Sequence, residues 1–555
     1  MEREQGWRRI KQNRMGMRKI YLIILVLSVC RFAKAQSWQD TVLLIEKKFE
    51  RYKPANPGVQ FAIVRNGKII FSKAWGMADL EHNVPLTTGS ISEAGSVSKQ
   101  FTAGAILLLE QQGKLSLDDD VHKYVPELPD YGYTITLRQM IQHKSGLKDW
   151  GFIADISGWP RTTRTYSNDD ALHIICNQKT LNYKPGAEYL YSNSNYQLLT
   201  IIVQRVSGLS LADYTRKYMF EPAGMKHTQW RDNYKRIVPN RAIAYSKSGN
   251  IYETEMPNEY VYGNGGLLTT AEDLLIWCDY FMNGKFGTPS LLEKQLSTSA
   301  LNNGVMHRYG SGLFTGKFRG WRYVAHPGET AGYRAYFEGY PELGLSFVWL
   351  SNTSEFGRDA FNAAVEVADM LVPVKEPQEE VKVLPPFDVS KEKLNSYIGW
   401  YRNTKTGGGL KLHMQNEKLH ATEGGQLVPV AENVFRTKSN NKIELSSKGL
   451  LTIDPEKDSV YFTKVDAAKL DEKKMQEYVG EYYSNEVEVK YHVEVKKGKL
   501  FLILKPRLEY QLTPTYKDGF DIPDGVVYFE RTKNKIINFK ISVERARNVE
   551  FRKIK

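Results

Sequence analysis

Ser92-Glu93-Ala94-Gly95-Ser96-Val97-Ser98-Lys99-Gln100-Phe101-Thr102-Ala103 opens a largely apolar stretch that runs on through Glu110 towards Gly113. The run reads as a helix that Gly113 ends, which places Ser96 at or near a helix N-terminus and Lys99 one turn along the same face. A serine hydroxyl is a poor nucleophile at neutral pH and needs a base beside it, and a lysine at this spacing is within reach. Burial and a nearby cation keep such a lysine neutral enough to accept a proton. The helix N-terminus adds backbone N–H groups and the positive end of the dipole beside a developing oxyanion.

Ser-x-x-Lys also occurs at Ser145–Lys148, Ser390–Lys393 and Ser439–Lys442, so the surroundings of Ser96 must decide. Upstream, apolar residues recur at helical spacing from Trp38 to Tyr52, and two short apolar runs flank Asn66-Gly67, a strong hairpin signal. Downstream, Ile135 to Leu147 reads as a capped helix closing at Gly146, with His143 a packing or turn residue.

At 555 residues the chain has room for two or three domains. A composition of 41% hydrophobic and 25% charged residues gives no sign of disorder. The formal charge of +13 is concentrated at the start: residues 1–35 carry nine Lys/Arg against two Glu, leaving +6 for the rest. With no long basic cluster there, an ordinary solvated surface is expected rather than nucleic-acid binding. The basic start runs into Ile20-Tyr21-Leu22-Ile23-Ile24-Leu25-Val26-Leu27 and then Ala33-Lys34-Ala35, the pattern of a secretory signal peptide over residues 1–35. The leader is long, and Met15 and Met17 are alternative starts. The Val29-Cys30 setting favours cleavage after Ala35 over lipid anchoring, and the apolar run is short for a membrane span. A periplasmic or secreted mature chain that does not span a membrane is therefore expected. Cys176 and Cys278 sit in apolar settings that favour buried free thiols over a pair. The ten histidines include no H-E-x-x-H and no Cys/His cluster, so no metal and no other cofactor is expected.

The Ser96 stretch, Leu115 to Leu128 and His143-Lys144-Ser145-Gly146-Leu147 together resemble the serine hydrolase family of class C β-lactamases, penicillin-binding proteins, D-aminopeptidases and related esterases. The resemblance covers about residues 40–370. It implies an α/β domain with an antiparallel sheet flanked by helices and a mostly helical lobe between about 110 and 255. It also implies a Tyr-x-Asn and a Lys/His-x-Gly motif. Of four Tyr-x-Asn matches, at Tyr166, Tyr191, Tyr401 and Tyr483, only Tyr191 has the family's loop-then-helix setting. The family then implies that Lys99 and Tyr191 share the proton of Ser96 and that Asn193 holds the substrate. His326-Pro327-Gly328 is the chain's one His-x-Gly and stands where β-lactam-binding members commonly have lysine. The resemblance gives His326, Gly328 and Glu329 to substrate binding, with the N–H groups of Ser96 and Glu329 as the oxyanion hole.

Pro373 to Pro386 turns Pro-rich and charged, which reads as a linker over 373–390 between a catalytic domain at 36–372 and the C-terminal third of the chain. Beyond it, Leu394 to Tyr401 aligns with Met475 to Tyr482 at an offset of 81, each followed by alternating short strands. Two β-modules are expected at 391–470 and 471–555, barrel-like or fused into a lipocalin-like unit. A chain ending near Val374 keeps every motif and is expected to fold and react with a small probe.

The expected function is a secreted, cofactor-free serine hydrolase that works through an acyl-enzyme on D-amino-acid peptides or amides, or on small esters, with β-lactamase or D,D-carboxypeptidase activity less favoured. The alternative is a catalytically weak or silent penicillin-binding-like protein that binds or scaffolds cell-envelope components, touching the envelope through the β-modules. Loss of the serine, lysine or tyrosine would mark that alternative, and all three are present.

Overall fold

The computed structural model describes residues 37–161, 163–357, 359–376, 387–422, 424–455 and 458–555. The leader at 1–35 and residues 377–386 of the segment read as a linker lie outside the described residues. Among the described residues no helix is long and apolar enough to cross a membrane.

The chain enters through α1 (Trp38–Phe49), whose N-terminus carries a capping box between Ser37 and Asp40. The hairpin β1 (Val59–Arg65) and β2 (Lys68–Trp75) comes next. Asn66 and Gly67 both take positive φ in its turn, which asparagine and glycine tolerate best. After α2 (Lys99–Gln111), α3 (Asn193–Ser207) and α4 (Ala271–Met282), the chain returns to the sheet as β3 (Phe314–Phe318), β4 (Trp321–Thr330), β5 (Tyr333–Tyr340) and β6 (Leu345–Ser351), and then forms α5 (Asp359–Leu371). The six strands lie in the order β3-β4-β5-β6-β1-β2 with every neighbouring pair antiparallel.

Both faces of this sheet are covered, and β1 and β6 are buried along almost their whole length. Period-two alternation divides them: Val59, Phe61 and Ile63 of β1 join Phe347 and Trp349 of β6 in a core with Ile45 and Phe49 of α1 and Val367 of α5. Ala62 and Val64 point the other way, with Val348 and Leu350, into the core built around α2, α3 and α4. The mostly helical lobe holds the short helices Leu137–Ile141, Trp150–Ile156 and Asn168–Cys176 together with α3. The helix expected over 135–147 is thus shorter than the sequence pattern: it stops at Ile141, and the chain turns with His143 at φ 56° and Gly146 at φ 82°.

The C-terminal region forms two separate nine-stranded antiparallel meanders rather than one fused unit. In each, the first strand pairs with the last: Gly399–Asn403 with Ser459–Val465, and Gly480–Ser484 with Ala546–Lys553. One adjacent pair stays open, so each is a nearly closed up-and-down barrel. The repeat extends to a hydrogen bond: Tyr401 donates to Tyr397 O at 2.7 Å, and Tyr482 to Tyr478 O at 2.8 Å, two buried tyrosines 81 positions apart. The second barrel does not stand clear of the first domain. Ile153 and Ile156 of the helical lobe belong to its core cluster, and Tyr491 donates to Ile156 O at 2.8 Å.

Candidate active site

Ser92–Glu93 pairs with Leu267–Thr269, and Ala94 N–H donates to Leu267 O at 2.8 Å, which fixes the chain just before the nucleophile. Gly95–Ser98 is a single 3-10 turn that runs directly into α2. Gly95 sits at φ 49°, and a Cβ there would lie 2.7 Å from the backbone N of Glu329, so only glycine lets the turn approach β4 this closely. Gly328 serves the same approach, since a Cβ on it would meet Ala94 O at 2.1 Å. The N–H edge of β4 at Glu329 is thereby brought against the turn that carries Ser96.

Lys99 is fully buried, and its Nζ has three polar neighbours. Asn193 Oδ1 lies at 2.9 Å, the Asn264 carbonyl accepts a further hydrogen bond, and Ser96 Oγ lies at 3.1 Å. Burial holds the lysine well below its ordinary pKa; Asp149 opposes this, and Arg545 and Arg161 add to it. A neutral amine has two hydrogens and one lone pair. In that form, which burial favours, two acceptors take the hydrogens and the lone pair faces the Ser96 hydroxyl, the arrangement a general base requires.

Tyr191 precedes α3, and Asn193 is the first residue of that helix. Asn193 N–H donates to Asp149 Oδ2 at 2.6 Å, locking the start of α3 to the N-cap of the helix Trp150–Ile156. The Tyr191 ring centroid lies 4.9 Å from Lys99 Nζ. Burial raises the phenol pKa, while the Ser96 hydroxyl and Arg545 draw it back down. Behind it, His143 packs at 4.1 Å between ring centroids and accepts from Ser192 N–H through Nδ1 at 3.1 Å. The early helix stop at Ile141 is what swings His143 under the tyrosine. Burial, with Lys99 next, keeps His143 neutral.

His326 is buried on β4. Its Nδ1 lies 2.6 Å from Pro327 O, and its Nε2 lies 3.0 Å from the Tyr309 hydroxyl. A carbonyl can only accept, so Nδ1 carries the proton and Nε2 accepts from Tyr309. Burial, with Lys99 adding, pulls its pKa down to about 3. The slot commonly occupied by lysine therefore presents a neutral ring.

These residues meet in one cleft of about 570 Å³ that includes Ser96, Asp149, Tyr191, Asn193, His326 and Glu329 in its lining. Tyr166 is used elsewhere, donating to Trp159 O at 2.6 Å. Ser98 is committed to the backbone, donating to Gly95 O at 2.5 Å and accepting from Leu267 N–H at 3.1 Å. Among the described residues the one cluster of three metal-ligating side chains is Asp79, Glu81 and His82, which is not part of the cleft lining. Cys176 and Cys278 are free thiols.

Four residues of the site were given no part in the chemistry by the sequence motifs, His143 being read there as a packing or turn residue. Asp149 and the Asn264 carbonyl hold Asn193 and Lys99, His143 backs Tyr191, and Arg545 enters the cleft from the second barrel, its guanidinium 4.9 Å from the Tyr191 ring centroid. Nothing local in the sequence signals Arg545.

The fold and cleft define a protein of the serine-hydrolase type. Residues 45–371 match the family model described as Beta-lactamase, and the chain belongs to that family. It is 29% identical over 391 residues to "Penicillin-binding protein 4*" of Bacillus subtilis (strain 168), covering 65% of this chain and 82% of that protein. It is also 29% identical over 281 residues to "D-aminopeptidase" of Cereibacter sphaeroides (strain ATCC 17029 / ATH 2.4.9), spanning 50% of this chain but only 53% of that relative. The solved structure of the octameric penicillin-binding protein homologue from Pyrococcus abyssi aligns with a TM-score of 0.51 at 22% identity, over 85% of this chain and 99% of that one, a likeness of fold.

Proposed function

We propose that this chain is a secreted serine hydrolase that works through an acyl-enzyme on D-amino-acid peptides or amides, or on small esters. The observation that carries the reading is the buried Lys99 Nζ, held by Asn193 Oδ1 and the Asn264 carbonyl with Ser96 Oγ 3.1 Å away, so that in the neutral form its lone pair falls to Ser96. In this reading Ser96 Oγ attacks the substrate carbonyl carbon while its proton passes to Lys99. The N–H groups of Ser96 and Glu329 take the oxyanion. Tyr191, protonated at rest, hands a proton to the departing nitrogen or oxygen and recovers one from the Lys99 ammonium, which leaves both groups as they began. Water then attacks the acyl-enzyme, releases the acid and returns the proton to Ser96.

The substrate class draws support from two sides. The relative named D-aminopeptidase points towards D-amino-acid substrates. The neutral His326 offers no fixed cation to a substrate carboxylate, which weighs against β-lactams. Secretion rests on the charge and apolar pattern of residues 1–35. The test is hydrolysis of a panel of nitrophenyl esters, D- and L-aminoacyl amides and β-lactams by the full chain and by Ser96→Ala. Turnover of esters or D-amides that Ser96→Ala abolishes is expected. Turnover that survives the substitution, or a wild-type chain that neither turns over nor is acylated by any of them, overturns the proposal.

A further inference from the structure

Arg545 occupies the two-residue turn between the strands Lys535–Val543 and Ala546–Lys553 of the second barrel, with Val543 and Ala546 paired at its base. The turn is latched onto the catalytic domain by its backbone. Arg545 O accepts from Asp149 N–H at 3.0 Å and from Asn182 Nδ2 at 3.1 Å, and Arg547 N–H donates to Asn182 Oδ1 at 2.8 Å. The same Asp149 holds the N–H of Asn193, and Asn193 holds Lys99. The side chain is half-buried, 4.9 Å from the Tyr191 ring centroid and 5.6 Å from that of Phe152, and its hydrogen bond to the exposed Glu544 is 3.2 Å.

We propose that Arg545 is a positioning residue for the serine chemistry: a cation lent by the second barrel that holds Tyr191 in place and disfavours the ammonium form of Lys99. The inference rests on the hydrolase reading above. A positive charge beside the pair opposes the lysine ammonium and favours the phenolate, so both groups respond in the same direction. The other titratable groups that face the pair leave the role to Arg545. His143 and His326 are neutral, burial holds Tyr189, Tyr196 and Tyr309 protonated, Asp149 acts on Lys99 in the opposite sense, and Arg161, which acts in the same sense, is paired with Glu259. Asp155 and Glu329 are carboxyl groups of the cleft lining, and an acidic group near the pair acts against Arg545 rather than in its place. Arg545 lowers the pKa of both Lys99 and Tyr191.

The experiment compares the pH dependence of kcat/KM for an uncharged small ester in the wild-type chain, Arg545→Met and Arg545→Lys. These variants keep the backbone latch, and urea unfolding checks that each is folded. Without the cation the ammonium form of Lys99 is less disfavoured, so the ascending limb of the profile, which the base sets, moves to higher pH by about one unit or more in Arg545→Met. Arg545→Lys, which keeps the charge, stays within a few tenths of a unit of wild type. An unmoved limb in a folded Arg545→Met overturns the proposal, and so does a loss confined to carboxylate-bearing substrates, which would make Arg545 a substrate-binding cation. A wild-type chain inert towards every ester overturns the hydrolase reading instead, so the two failures are distinct.

Discussion

Lys148 Nζ meets Glu486 Oε2 at 2.5 Å across the boundary between the helical lobe and the second barrel, with the two side chains 0% and 7% exposed. An ion pair taken out of water gains little over an apolar contact, but breaking it strands a charge in the interior. Burial lowers the pKa of Lys148, and Glu486 is the group that offsets this. With Ile153 and Ile156 sharing the barrel core, the interface is part of the fold of the helical lobe.

Glu486→Ala in the full chain is therefore expected to cost about 3 kcal/mol or more in urea unfolding, because Lys148 loses its carboxylate while remaining buried. The same burial revises the expectation for a chain ending near Val374. It would expose Lys148, Ile153 and Ile156 and remove Arg545, so loss of solubility or of ester turnover is now expected. A Glu486→Ala cost under about 1 kcal/mol would show that Lys148 finds water easily and that the interface is loose.

A fluorophosphonate or penicillin-type probe that labels the chain is expected on Ser96. The neighbouring Ser98 has its hydroxyl spent between Gly95 O and Leu267 N–H. Peptide mapping is the check, and label on Ser98, or label retained in Ser96→Ala, contradicts the assignment.

Lys99→Ala and Tyr191→Phe should each slow acylation by at least ~100-fold, the lower range of general acid–base contributions. Tyr166→Phe should leave acylation near wild type, since that hydroxyl only caps Trp159 O. Burst-phase kinetics with one ester compares the three. An essential Tyr166 beside a dispensable Tyr191 would mean that the proton path runs elsewhere.

Much of this site was legible because its parts are local. Ser96 and Lys99 share one turn of chain, and the alternation of β1 and the Asn66-Gly67 turn specify a hairpin without outside help. The repeat pointed to the two β-modules of the C-terminal region, since the Tyr397/Tyr401 pair is written again as Tyr478/Tyr482. What local pattern could not carry is long-range placement. The apolar periodicity over 135–147 is genuine, yet the helix ends at Ile141, where His143 takes positive φ and accepts from Ser192. Arg545 looks like any basic residue in a turn until the barrel is docked.

Esters and D-amino-acid amides should be turned over faster than β-lactams. His326 gives its Nδ1–H to Pro327 O and takes the Tyr309 proton at Nε2, so it is spent as well as neutral. Parallel kcat/KM measurements decide this, and a β-lactam hydrolysed faster than every ester and D-amide tested would contradict it.

The last prediction concerns stability against pH. In the folded chain His326 is pulled down to about 3, whereas an unfolded histidine titrates near ~6.5. Between those values the unfolded chain binds the extra proton, so the stability owed to a neutral His326 is complete above pH ~6.5 and falls as the pH drops towards about 3. The slope approaches ~1.4 kcal/mol per pH unit once an unfolded histidine is fully protonated. His143, displaced in the same direction by burial, adds to it. Asp155, raised to about 6 chiefly by desolvation of its carboxyl in the cleft, works against it over the upper part of the window. Urea unfolding at pH 7, 6 and 5 should thus show stability falling with acidity in wild type and falling less steeply in His326→Gln, which retains a neutral polar side chain and has no proton to gain. Equal slopes in the two proteins would mean that His326 reaches water before the chain unfolds.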